Sequence, residues 1–176
     1  MIFGLFKRRD TDDTIRDLYG VIVAQARDPA FYTVHRVPDT VEGRFEMIVL
    51  HLFLVLHRLK EESPERRVMG QALFDLFFLD MDRSLRELGV GDTKVPARIR
   101  KMGEAFYGRT KVYDEALNGE DPNALAQAIA RNAIGKVDAD ASALASYMRA
   151  AVADLAAVPY ETLAKGHLTF PFVPKA

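Results

Sequence analysis

The chain has 176 residues, with 24 Lys or Arg against 25 Asp or Glu and a formal net charge of −1. That length suits one domain with a sizeable core, and the balanced charge excludes a general nucleic-acid binder, which needs a basic surplus to displace counterions. Hydrophobic residues make up 49% and cysteine is absent, so a globular chain is expected, without disulfides, thiolate chemistry or Cys-ligated metal.

At the N-terminus, Met1-Ile2-Phe3-Gly4-Leu5-Phe6-Lys7-Arg8-Arg9 places apolar residues before cations, the reverse of a secretory signal. Ile2, Phe3, Phe6, Lys7, Arg8 and Arg9 form a candidate membrane-surface anchor within residues 1–11. Their apolar groups suit the headgroup boundary and their cations suit anionic lipid. The competing expectation is a frayed terminus whose Phe3 or Phe6 tucks onto the domain. No run reaches the roughly 18–20 apolar residues of a membrane span.

Residues 12–166 are predicted to be almost wholly helical. A first helix opens at Asp12 or Asp13, carries Ile15, Leu18, Tyr19, Ile22 and Val23 at core spacing, and stops at Asp28-Pro29. Residues 31–38 form a connector packed onto the body. Asp39, with Glu42 three residues on, resembles a capping box for a second helix that runs to about Glu62. Ser63-Pro64 opens a third, stopped at Gly89. A fourth runs from Ala97 to about Tyr107 and is interrupted at Gly108, and a short fifth ends at Asn118-Gly119. A sixth over 123–134 and a seventh over 138–158 are alanine-rich and read as a supporting layer. Residues 167–176, with Pro171 and Pro174, are expected to be an extended strap. The fold class is therefore all-α, a single compact domain of six to seven helices plus that strap.

The most informative block is residues 44–109, where helices apolar on nearly every side carry isolated charges. Arg44, His51 and Arg58 lie seven residues apart and share a stripe of the second helix. Asp75, Asp80, Asp82, Arg83 and Arg86 interrupt the third. Buried without partners, such groups cost several kcal/mol each. One expectation is that Arg44, His51 or Arg58 cross-pairs with Asp75 or Asp82 and fixes helix register. The other is that the mixed stripe is exposed and receives a partner; three acids among residues 75–82 exceed what register needs.

Asp80-Met81-Asp82 also resembles the magnesium-holding helices of all-α isoprenoid enzymes, but no second acidic helix is available to face it. His51 and His57 are separated by about 240° of helix and cannot share a metal. His35 and His167 fall in non-helical segments. No catalytic, cofactor-binding or metal-binding residue is nominated.

Several motifs in order carry a family resemblance. They are Asp28-Pro29-Ala30-Phe31-Tyr32, then Val37-Pro38-Asp39-Thr40-Val41-Glu42-Gly43-Arg44-Phe45-Glu46, then Phe77-Phe78-Leu79-Asp80-Met81-Asp82-Arg83 within residues 74–87. Ala105-Phe106-Tyr107-Gly108-Arg109 closes a further match over 95–109. Over roughly residues 14–118 the chain resembles the ubiquinol–cytochrome c chaperone family, assembly factors of respiratory complex III. With no long presequence it is expected to be a compact, bacterial-type member.

The resemblance implies an all-α, non-enzymatic protein without a cofactor. It implies cytochrome b as client, with a small helical co-chaperone and the ribosome as further partners; the expected location is cytoplasmic, peripheral at the inner face of the cytoplasmic membrane where the N-terminal anchor would hold the chain. Carried over by position, Arg44, His51, Asp80, Asp82, Arg83, Tyr107 and Arg109 are the candidate client-facing residues. The alternative is an all-α binder or enzyme for an isoprenoid, quinone-like or haem ligand, with a closed apolar cavity near Asp80 and Asp82.

Overall fold

An apolar run interrupted only by His51 makes α3 (Val41–Leu59) the axis of the molecule: every residue from 46 to 55 is buried. A helix that is apolar all round belongs in the centre. Around it pack α1 (Phe3–Ala26), α4 (Pro64–Glu87), α5 (Val95–Asn118) and α7 (Ser142–Ala157). The short elements are α2 (Pro29–Thr33), α6 (Ala124–Ile129), a π-helical turn (Ala130–Ile134) and α8 (Tyr160–Leu163). This computed structural model describes the backbone of residues 3–60 and 63–173 and the side chains of 12–60 and 63–173. Among the described residues there is no strand, as the all-α expectation requires. None of their helices is long and apolar enough to cross a membrane.

Caps decide the two central helices. Thr40, not Asp39, caps α3: its Oγ1 accepts the Gly43 N–H at 3.1 Å. Asp39 is unavailable because its Oδ1 accepts from Arg44 Nε at 2.7 Å. A side chain at Gly43 would place Cβ 1.9 Å from the Pro38 carbonyl oxygen, so only glycine lets the connector approach this closely. Ser63 caps α4 through its Oγ and the Arg66 N–H at 3.3 Å, with Pro64 in the first turn as expected. Each such cap contributes about 1 kcal/mol. Gly89, at φ 79°, follows α4 in the left-handed region.

Several boundaries differ from expectation. α1 begins at Phe3, ahead of Asp12, because nothing between the two breaks a helix and propagation needs no cap. Asp28-Pro29 ends one helix and starts the next: Asp28 Oδ1 accepts the Ala30 N–H at 2.8 Å and opens α2 inside the presumed connector. The rest of that connector does pack down, with Phe31, His35 and Val37 buried. α3 stops at Leu59, short of Glu62.

α5 runs straight through Gly108, so the fourth and fifth predicted helices are one. The helix formers on either side outweigh the modest cost of one exposed glycine. The predicted sixth helix changes to π-helical hydrogen bonding at Ala130 before Gly135, at φ 74°, ends it. α7 starts at Ser142 rather than Asp138, and α8 was not expected at all.

The chain after α8 lies extended across the body, with Leu168 and Val173 buried and Phe170 partly so. Inward alternation breaks at Pro171, leaving Phe172 72% exposed.

Candidate functional site

Two open grooves flank the core. The larger, about 500 Å³, lies between the C-terminal half of α3 and the middle of α5. Its floor is Phe53, Leu56, Phe106 and Tyr107, and its rim carries His57, Lys60, Lys111 and Asp114. Aromatic packing from behind holds the floor: Phe74 sits 5.4 Å from the Phe106 ring and 5.8 Å from Tyr107. Asp114 ties the rim together, accepting from Lys60 Nζ at 2.7 Å and from His57 Nδ1 at 3.0 Å. The Lys60 ammonium, aided by His57, holds the Asp114 carboxyl below its usual range. Tyr107 is 62% exposed and is the large apolar face of this groove most open to solvent.

The second groove, about 410 Å³, lies between α1 and α4. Tyr19, Gly20, Val23, Leu76 and Leu79 line it, with Arg16, Arg27, Asp80 and Arg83 around them. The Tyr19 hydroxyl donates to Asp80 Oδ2 at 2.8 Å, and burial together with that carboxylate pushes the phenol pKa well up. Leu79 stands 67% exposed beside it.

The nominated residues do not form one cluster. Asp80 and Arg83 border the α1–α4 groove. Asp82 turns away to Arg86 at 2.6 Å, and Arg86 also reaches Asp92. Arg83 pairs with Glu87 at 2.8 Å, a contact that raises its already high pKa. Tyr107 lines the α3–α5 groove. Arg44 is exposed at the start of α3, paired with Asp39. Ile2, Phe3, Phe6, Lys7, Arg8 and Arg9 have side chains outside the described residues.

Two of the nominated side chains are directed inward. His51 is fully buried and cannot face a client directly. Its Nδ1–H donates to the Met47 carbonyl at 2.7 Å, which leaves Nε2 to accept from the Tyr147 hydroxyl at 2.9 Å. Gln25 Nε2 donates to the same hydroxyl oxygen at 3.0 Å, and the Phe170 ring packs edge-on to His51 at 5.1 Å. Burial pushes the His51 pKa down to about 4, so the ring is neutral. Arg109 is committed inward, in a two-pronged pair with Glu46 from Nε and Nη2, both at 2.5 Å.

The expected cross-pairing also fails. Arg58 donates to the Leu155 and Val158 carbonyls at 2.8 and 2.9 Å, closing the C-terminal end of α7. Asp75 accepts from Gln71 at 2.7 Å on its own helix. A closed cavity with converging acids near Asp80 and Asp82 is absent among the described residues, since Asp80 and Asp82 diverge to Tyr19 and Arg86.

Sequence reasoning missed Glu46, His57, Lys60 and Asp114. Their partners lie 54 to 63 residues away, beyond any local pattern. Tyr113, buried behind the same groove with its ring 5.7 Å from Phe53, was missed as well, since that contact also spans the distance between two helices. Burial pushes its pKa up.

An all-helical body with open, aromatic-floored grooves and charged rims has the form of a scaffold for segments of other proteins. Known proteins place it further. The profile of the ubiquinol–cytochrome C chaperone family matches residues 33–170, and the chain belongs to that family. It is 26% identical over 119 residues to ubiquinol–cytochrome-c reductase complex assembly factor 1 of Xenopus laevis, covering 68% of this chain and 59% of that protein. The human protein of the same name is 24% identical over 104 residues, covering 59% of this chain and 35% of its own. The chain thus spans less than two thirds of the length of these relatives. The crystal structure of a Cbp3 homolog from Brucella abortus superimposes with a TM-score of 0.88 at 41% identity, covering 98% of each chain.

Proposed function

We propose that this protein is an assembly chaperone of ubiquinol–cytochrome c reductase that shields an apolar segment of cytochrome b until other subunits bury it. Family membership and relatives named as assembly factors of that complex support the complex as destination. The α3–α5 groove carries the reading of an apolar client. Its floor offers aromatic area at about 25 cal/mol per Å², and the Lys60–Asp114–His57 rim offers fixed polar anchors for orientation. Holding and release need no bond making, so no catalytic group or cofactor is invoked. Asp82, Arg83 and Arg44 remain solvent-facing charges that can orient a partner, and Asp80, held by Tyr19, adds a half-buried one at the second groove.

Tyr107→Asp tests the groove. Because Tyr107 is mostly exposed, the purified variant is expected to unfold within about 1 kcal/mol of the parent. Cells relying on it should accumulate less assembled complex III on native gels and show a weaker cytochrome b spectrum. Normal assembly would remove the groove from the mechanism. A photoreactive residue at 107 should capture cytochrome b, and capture of other proteins alone would argue for a different client.

The same reading places the chaperone at the lipid surface through Ile2, Phe3, Phe6, Lys7, Arg8 and Arg9. Deleting residues 1–9 is expected to reduce co-sedimentation with anionic vesicles at low salt. Unchanged sedimentation would discard the anchor.

A further inference from the structure

Gly20 lies inside a 24-residue helix, six residues before its end, where glycine is among the weakest helix formers. Nothing in its own chain explains the choice: a Cβ built there meets no atom within 4 Å. Glycine at an open helix surface lets another backbone come close. The charges around it have a definite order. Asp13, Gly20 and Arg27 are spaced by seven: the first two share a stripe of α1, and Arg27 continues it in the turn that closes the helix, its N–H donating to the Ala24 carbonyl at 3.2 Å. Arg27 forms no ion pair among the described residues, and Asp13 has only a loose contact of 3.8 Å with Arg16, both side chains being mostly exposed. Val23 and Leu79 add apolar surface beside the glycine.

We propose that this face binds a second copy of the chain, α1 against α1, antiparallel and crossing at Gly20. A two-fold axis through Gly20 carries position 13 of one protomer onto position 27 of the other. Each Asp13 therefore meets the partner copy's arginine at 27, two turns from the crossing on either side, and Val23 and Leu79 are covered. The stripe is complementary to itself only in this orientation; a parallel pairing sets like charges together. One helix crossing buries less than the roughly 1,200 Å² of a stable interface, so the dimer is weak and exchanges with monomer. The α3–α5 groove stays open in it, and the proposal does not rest on the client reading.

Sedimentation velocity across about three decades of concentration at low salt tests this. The full chain should pass from monomer to dimer as concentration rises. Gly20→Gln should fold with equal or greater thermal stability and remain monomeric. Arg27→Asp and Asp13→Arg should each weaken association at least about ten-fold. The double variant, with the charges exchanged, should recover to within about three-fold of the parent. A parent that stays monomeric overturns the proposal. So does a dimer that survives Gly20→Gln, or an exchange that fails to restore what the single changes remove. Added anionic vesicles provide a last arm: if Gly20→Gln and Arg27→Asp abolish vesicle binding while self-association is absent, the face is a lipid site.

Discussion

Arg109→Met is expected to lower the free energy of unfolding by about 3 kcal/mol at neutral pH, as read by urea denaturation. The loss comes from Glu46 more than from the arginine. Glu46 retains only 9% side-chain exposure and would be left as an uncompensated carboxylate, whereas the arginine side chain is 24% exposed. Burial already pushes the Glu46 pKa up against the pull of Arg109. Without Arg109 it rises further. A carboxyl whose folded pKa exceeds its unfolded value binds more protons folded than unfolded, so stability grows as pH falls towards that pKa. The deficit of the variant relative to the parent should therefore shrink between pH 7 and pH 5. A double change, Glu46→Leu with Arg109→Met, should recover much of the loss, since it removes both charges together. A constant deficit at every pH would mean that lost packing, not charge, is responsible.

His51 should dominate the acid limb of the stability curve. Its folded pKa of about 4 lies below the ordinary 6.5, so the unfolded chain takes up a proton that the folded chain refuses. Stability is then fully present above pH 6.5 and falls as pH drops towards 4. At roughly 1.4 kcal/mol per unit, the fall is on the order of 3 kcal/mol. His51→Gln keeps an acceptor for the Tyr147 hydroxyl but cannot titrate, and its profile should be flat by comparison across that window. Glu46 contributes with the opposite sign over part of the same range, so the difference between parent and variant isolates the histidine. Parallel profiles for the two proteins would show that His51 does not carry the acid sensitivity.

The apolar pattern made the scaffold legible. The run from Met47 to Val55 could only be a central helix, and the structure buries every residue of it. Local punctuation was legible where one residue acts alone, as at Ser63, Gly89 and Gly135. It misled where neighbours compete. Asp39 reads as a cap until Arg44 claims its carboxylate, and Gly108 reads as a break until α5 propagates through it. The grooves were partly legible: Asp80, Arg83 and Tyr107 do border them. A stripe shared by Arg44, His51 and Arg58 says which side of a helix they occupy, not what stands opposite. That is set by α7 and the extended segment after α8, which supply Tyr147, the Leu155 carbonyl and Phe170 to the same stripe.

The continuity of α5 has a mechanical consequence. Tyr107, Lys111 and Asp114 line the α3–α5 groove, while Arg109 and Tyr113 of the same unhinged rod anchor it in the interior. An occupant too wide for the gap cannot swing Tyr107 aside on its own. It must rotate the whole lever and load the bolt that Glu46 drives into its back. The width of the cleft is thereby set by a bond inside the protein, and an occupant that fits without turning the rod should raise the force needed to pull the domain apart.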